Sequence, residues 1–175
     1  GRATAMELAK RGVFVIVNYR GSEEAALETV AEIKSVGGDA VCMAWDVSDY
    51  AECEKNIKQI IDTFGRIDIL VNNAGITRDD LLMKLSEEDF DAVIAANLKG
   101  TFCMLHFVSR QMLRQRSGKI INLASVVGIC GNAGQVNYAA SKNADILVSL
   151  HLNSADSKTA NGAEILVPRT GRYNS

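Results

Sequence analysis

Tyr138 and Lys142 stand four residues apart in the string Tyr138-Ala-Ala-Ser-Lys142. In a helix that spacing puts both side chains on one face. A lysine cation held beside a phenol favours the tyrosinate form. The pair can then exchange a proton with a carbonyl or alcohol oxygen. Taken alone, the same spacing also fits an ordinary exposed Tyr and Lys, because so short a motif recurs by chance. Upstream of it, in order, come Asn72-Asn73-Ala74-Gly75, Asn97-Leu98-Lys99-Gly100 and Ser125. Small residues such as Ala74 and Gly75 let backbone approach a ribose closely; a plain Asx turn is the alternative for Asn72. Ser125 taken alone reads as a turn serine. Asn97 falls inside a long helical pattern, where Asn is a poor helix former, and that local misfit favours a role.

These residues must be positioned by regular elements, and the hydrophobic periodicity supplies them. Residues 2–11 read as a helix, with Lys10 and Arg11 in the last turn and Gly12 as its stop. Residues 13–17 form a continuous apolar, β-branched run, as a buried parallel strand requires. Ser22 can cap a second helix, whose first turn holds Glu23 and Glu24. Ala26, Val30 and Ile33 form its apolar face, and Gly37-Gly38 ends it. Residues 40–45 predict a second strand. Ser48 or Asp49 starts a helix with Cys53, Ile57, Ile60, Ile61 and Phe64 inward, closed by Gly65. Residues 69–71 predict a third strand. Ser86-x-x-Asp89 resembles a capping box before a helical region running to about residue 114. Residues 119–123 predict a fourth strand. Strand and helix alternate, which argues an α/β fold: a doubly wound parallel sheet with helices on both faces.

In such a sheet, ligands sit beyond the carboxyl ends of the strands. Asn18-Tyr19-Arg20 ends the first visible strand and contains no acid. A carboxylate there would suit a ribose 2′-hydroxyl, whereas arginine suits a 2′-phosphate. Arg20 therefore favours NADP over NAD, a solvated loop arginine being the plain alternative. Asp46-Val47 ends the second strand.

Together these motifs are similar to the short-chain dehydrogenase/reductase family. The strings Asn18-Tyr19-Arg20-Gly21-Ser22-Glu23, Asp68 through Gly75, Leu81-Leu82-Met83, Ala124 through Gly128 and Gly131-Asn132 resemble its bacterial 3-oxoacyl-[acyl-carrier-protein] reductase branch. The resemblance implies a Rossmann-like fold and NADPH-dependent reduction of a 3-oxoacyl thioester in fatty acid synthesis. It implies Tyr138 as general acid, Ser125 as a second hold on the carbonyl oxygen, and Lys142 as partner of Tyr138 and of the nicotinamide ribose. Asn97 would hold a water that links Lys142 to solvent. Asn18, Arg20, Asp46, Val47, Asn72, Ala74 and Gly75 would line the cofactor, with Asp46 at the adenine or, alternatively, capping a helix. Asn72 would also steady the central strand. Arg110, Arg114 and Arg116 form a basic cluster; Arg116 would meet the acidic acyl carrier protein, or these cations simply suit a helix C-terminus. Another family reductase, acting on a small ketone, sugar or steroid, and a silent nucleotide-binding fragment are the other readings left open.

The resemblance runs over residues 1–142. The family's glycine-rich turn meets this chain only at Gly1, so the resemblance implies a chain that begins after that turn and its central strand. Residues 1–142 are then expected to be a partial dinucleotide-binding domain. After Lys142 the sequence departs from the family. Residues 143–175 are expected to be a divergent, irregular tail, frame-shifted or fused, and the altered sequence argues against the homotetramer usual in the family.

Bulk properties agree with a cytoplasmic enzyme. Of 175 residues, 47% are hydrophobic and 23% charged, and the net charge is −2. That mix is ordinary for a globular domain, and its near-neutral balance offers no broad footprint for nucleic acid. The apolar run at 13–17 is far too short to span a bilayer. Cys42, Cys53, Cys103 and Cys130 are scattered, which fits free thiols in a reducing compartment better than a metal site.

Overall fold

The computed structural model describes residues 1–143 of the chain. The expected irregular tail lies outside the described residues, Asn143 apart.

Helix α1 (Arg2–Lys10) ends before Gly12, whose φ of 79° suits a residue without Cβ. Strand β1 spans Val15–Tyr19, two residues later than the apolar run predicts. Val13 is held instead by the end of α1, its N–H bonding to Leu8 O. The strand's ends are set by its ladder: Val15 through Tyr19 pair in parallel with Ala40 through Ala44 of β2 (Ala40–Ala44). Between them, α2 (Glu23–Ser35) buries Ala26, Thr29 and Ile33. Val30 is only half-buried, and Thr29 satisfies its hydroxyl on Ala25 O. Ser22 precedes α2 without making a capping bond.

The start of α3 (Tyr50–Phe64) falls to Asp49, which accepts from Glu52 N, and Gly65 closes the helix at a φ of 78°. Cys53, Ile57 and Ile60 face inward. Phe64 instead stays 40% exposed, against Phe14. Strands β3 (Ile69–Asn72) and β4 (Lys119–Asn122) form a second parallel pair, with Asn72 opposite Asn122. The long helical region joins them as α4 (Glu87–Ile94), a π-turn (Ala95–Lys99) and α5 (Gly100–Gln115). Ser86 caps α4 through Asp89 N, as the box predicts. After β4 come α6 (Val126–Cys130) and α7 (Val136–Asn143).

Alternate residues of β1 point to opposite faces. Ile16 joins a core with Trp45, Ile57, Leu70, Leu105, Val108 and Met112, under α3 and α5. Val15 and Val17 join a smaller core with Ala9, Ile33 and Ala40, under α1 and α2. Helices on both faces of parallel strands make this the expected Rossmann-like arrangement, and it is incomplete. β1 and β3 do not pair, so the strands form two parallel ribbons rather than one sheet. A cavity of about 1080 Å³ lies between them, walled by Val15 and Val17 on one side and Ile69 and Val71 on the other. The resemblance gives that place to a central strand.

The 29 residues Glu87–Gln115 are long and apolar enough, by length and composition, to cross a membrane. Within this fold Cys103, Met104, Val108 and Met112 of that stretch pack into the larger core.

Candidate active site

Helix α7 carries Tyr138 and Lys142, and a neighbouring face of the same helix carries Asn137 and Ser141, again four residues apart. Asn137 is fully buried and Ser141 is 4% exposed. Both satisfy their polar atoms. Asn137 Nδ2 donates to Arg78 O at 2.9 Å, and its Oδ1 accepts from Tyr138 N at 2.8 Å. Ser141 Oγ donates to Tyr138 O at 2.8 Å and accepts from Asn97 Nδ2 at 3.0 Å.

Asn97 sits in the π-turn of the long helix, 3% exposed. A π-turn inserts an extra residue into the helical ladder and is frequent at functional sites. Here it aims the Asn97 amide at the segment after β3. Oδ1 accepts from Ile76 N at 2.8 Å, and Nδ2 donates to Ile76 O at 3.1 Å. Gly75 lies against this amide. A Cβ placed on Gly75 would stand 3.1 Å from Asn97 Oδ1 and 3.7 Å from Lys142 Nζ. The predicted Asn97, Gly75 and Lys142, far apart in the chain, thus converge on one spot.

Lys142 Nζ donates to Leu123 O, at the end of β4, at 2.9 Å. It stands 5.9 Å from the centre of the Tyr138 ring. Burial pushes the Lys142 ammonium below the usual lysine range. Ser125 opens α6, and its Oγ accepts from Val127 N at 3.2 Å. That bond leaves the hydroxyl hydrogen free to donate. No hydrogen bond joins Ser125 to Tyr138 among the described residues.

The predicted cofactor residues divide. Arg20, at the carboxyl end of β1, reaches Asp46 at the end of β2, Nη1 to Oδ2 at 3.3 Å. Asp46 also accepts from Ser48 N and Oγ, so it closes a turn before α3 rather than capping the helix. Asn18 Oδ1 accepts from Trp45 N across the ribbon. Val47 packs against Gly100, where an added Cβ would meet Val47 Cγ2 at 2.7 Å. Asn72 Nδ2 donates to Asn122 Oδ1 at 2.8 Å, so its amide ties β3 to β4, while the residue also lines the cavity. Gly1 lies at the cavity's rim with its nitrogen 3.1 Å from Asn73 Oδ1. Arg116 caps α5 in a left-handed conformation, φ 54°. Arg110, Arg114 and Arg116 are all exposed.

Three contributors were missed by the motifs: Asn137, Ser141 and the Leu123 carbonyl. A signal for two of them lay in the chain, since Asn137 and Ser141 repeat the four-residue spacing of Tyr138 and Lys142. The carbonyl has none, because every residue carries one.

The fold is that of an oxidoreductase family. The family model "short chain dehydrogenase" matches residues 1–159, and the chain belongs to that family. The match runs past Lys142, where the motifs alone end. A Staphylococcus aureus protein named 3-oxoacyl-[acyl-carrier-protein] reductase FabG is 52% identical over 142 residues, 81% of this chain and 58% of the relative. Proteins of the same enzyme name from Staphylococcus epidermidis and Synechocystis are 49% and 51% identical over the same shares. The chain thus spans 58% of the length of these relatives.

Proposed function

We propose that this chain carries the catalytic core of an NADPH-dependent reductase of 3-oxoacyl-[acyl-carrier-protein], giving the 3-hydroxyacyl product. The observation that carries it is the convergence of Asn97, Gly75 and Lys142 beside Tyr138, in a chain half identical to proteins of that name.

The residues present suit the cofactor. The bare Cα of Gly75 leaves a recess beside Lys142 Nζ that a Cβ would fill, room for a ribose edge. Arg20 offers a cation at the end of β1 with no acid in the same turn, which fits a 2′-phosphate. Asn18, Val47, Asn72, Ala74 and Gly1 line the cavity at the strand ends, and Asp46 stands beside Arg20; these are the groups that would line the cofactor. When bound, NADPH supplies the hydride.

This chain's own groups then hold the carbonyl and move a proton. Tyr138 donates its phenolic hydrogen to the carbonyl oxygen as that oxygen gains charge. Ser125, with its hydrogen free, donates to the same oxygen and orients it. Lys142 holds its cation near the phenol ring, stabilising the tyrosinate left behind. Asn97, through its place beside Lys142, holds the route by which Tyr138 regains a proton. Arg116 with Arg110 and Arg114 offers the acidic carrier protein a cationic surface. The reading carries a cytoplasmic location and, for the intact family member, a homotetramer through its two long helices, the second of which begins near Tyr138.

The test is oxidation of NADPH by the purified chain with an acetoacetyl thioester, beside Tyr138→Phe. Turnover lost in Tyr138→Phe supports the reading. NADPH binding without turnover assigns a silent nucleotide-binding chain instead. Turnover with a small ketone but not the thioester assigns another reductase of the family.

A further inference from the structure

Helix α7 is anchored in an unusual way. Among the described residues, both of its buried side chains, Asn137 and Ser141, are polar. A surface helix is ordinarily held by an apolar stripe. This one is held by hydrogen bonds to two separate places: Arg78 O, in the segment after β3, and Asn97 Nδ2, in the π-turn. Hydrogen bonds are directional, so this anchorage fixes the rotation and height of the helix as well as its proximity. Because Asn137 precedes Tyr138 and Ser141 precedes Lys142, any slip of the anchored face displaces both functional side chains together.

The bond between Asn97 and Ser141 has a further property. An amide nitrogen carries two hydrogens and its oxygen accepts. Asn97 uses one hydrogen on Ile76 O and its oxygen on Ile76 N. Ser141 Oγ takes the remaining hydrogen and passes its own to Tyr138 O. The chain of bonds Ile76–Asn97–Ser141–Tyr138 O is complete, with no spare donor along it. Removing the Ser141 hydroxyl leaves one Asn97 N–H unpaired at a site that is 3% exposed. A buried unpaired donor is costly enough to drive local rearrangement, and the free element here is α7.

We propose that Ser141, seconded by Asn137, is a positioning residue for Tyr138 and Lys142: its hydroxyl couples the π-turn at Asn97 to the height of the catalytic helix. The inference rests on the reductase reading for its effect on turnover, and on geometry alone for its effect on Lys142.

The test uses the full chain with Ser141→Ala and, as a second variant, Asn137→Ala. Two quantities are read. The first is kcat and KM for NADPH with the acetoacetyl thioester. The second is the rate of reductive methylation at Lys142, read by peptide mass spectrometry against Lys119 in the same sample. In Ser141→Ala, kcat falls between about ten- and a hundredfold, the loss expected of a small misplacement, while KM for the thioester holds and KM for NADPH, whose ribose Lys142 meets, rises. Lys142, released from Leu123 O, is methylated several-fold faster relative to Lys119. Asn137→Ala moves both quantities the same way. A merely structural Ser141 would lower the melting temperature and leave kcat per folded molecule unchanged; that result overturns the proposal. A slower kcat with an unchanged Lys142 rate also overturns it, as does faster labelling at full kcat. If the parent chain does not turn over, the reductase reading fails, and the labelling ratio alone decides: faster Lys142 labelling in Ser141→Ala supports the coupling, and an equal ratio overturns it.

Discussion

Arg20 and Asp46, which end neighbouring parallel strands, are joined by an ion pair of 3.3 Å. The pair is open to water, with the Arg20 side chain 58% exposed, and exposed pairs of this kind hold weakly. Asp46 keeps Arg20 pointed across the strand ends without sequestering it, so a phosphate dianion can displace the carboxylate. In Arg20→Ala, NADPH affinity should fall about ten- to a hundredfold, the worth of one or two charge-assisted bonds. NADH affinity should stay the same. Fluorescence titration with both nucleotides checks this, and equal losses for the two would remove Arg20 from the 2′-phosphate site.

Asp46 itself reports on acid stability. Burial pushes its carboxyl up, but the hydroxyl and backbone N–H of Ser48, and then Arg20, outweigh that and hold it below the usual aspartate range. A carboxyl lowered in the folded state stabilises the fold above its unfolded value, about 3.9. That contribution disappears as pH falls through the folded value. Asp46→Asn should therefore be less stable than the parent from neutral pH down to about pH 4. The two should converge in more acidic solution. Urea melts at pH 7 and at pH 3 measure the difference; a gap that persists at the lower pH would place its origin elsewhere.

The four thiols should react in a fixed order. Burial pushes the Cys53 thiol up to about 12 and raises Cys103 as well, and both are inaccessible, at 0% exposure. Only thiolate attacks a disulfide reagent. Cys130 is exposed and Cys42 partly so. A chromogenic disulfide at pH 8 should show one fast thiol that vanishes in Cys130→Ser. Cys53 and Cys103 should appear only on unfolding.

Gly128 packs its bare Cα against the end of α7. A Cβ there would lie 2.7 Å from the carbonyl carbon and oxygen of Lys142 and 2.9 Å from Asn143 N. These are backbone atoms and cannot swing aside. Gly128→Ala should destabilise the chain by about 1–3 kcal/mol, as overpacking does, and should lower turnover by shifting Lys142. Gly21→Ala, with no heavy atom within 4 Å, should change stability by less than about 0.5 kcal/mol. Thermal melts of the two variants make the comparison.

Periodicity located the elements from α1 to β4, because burial on one face leaves a direct imprint in the order of apolar and polar letters, but it drew neither α6 behind Ser125 nor α7, whose buried side chains are polar. It misplaced β1 by two residues, since the strand's ends answer to its pairing with Ala40 through Ala44 and hydropathy does not encode pairing. It offered Ser48 and Asp49 equally as a cap; only geometry separates them, because both carry a short oxygen-bearing side chain. The spacing of Tyr138 and Lys142 pointed to shared chemistry, yet the identically spaced Asn137 and Ser141 passed unnoticed. Polar letters read as solvent-facing until a partner is known, and theirs lie at Arg78 and Asn97, 59 and 44 residues away. The π-turn was legible only as an awkward Asn within a helix.

The gap between β1 and β3 has a mechanical consequence. With no backbone ladder across it, the ribbon carrying Arg20 and the ribbon carrying Asn72 are joined through side chains alone, chiefly those of α3 and α5. Backbone ladders transmit load and cooperativity; a layer of packed side chains lets one unit open while the other persists. The smaller core under α1 and α2 belongs wholly to the Arg20 ribbon. Amide protons of β1 and α2 should therefore exchange sooner than those of β3 and α5, so that the strand end bearing Arg20 loosens while the helix that follows the Asn97 π-turn still holds.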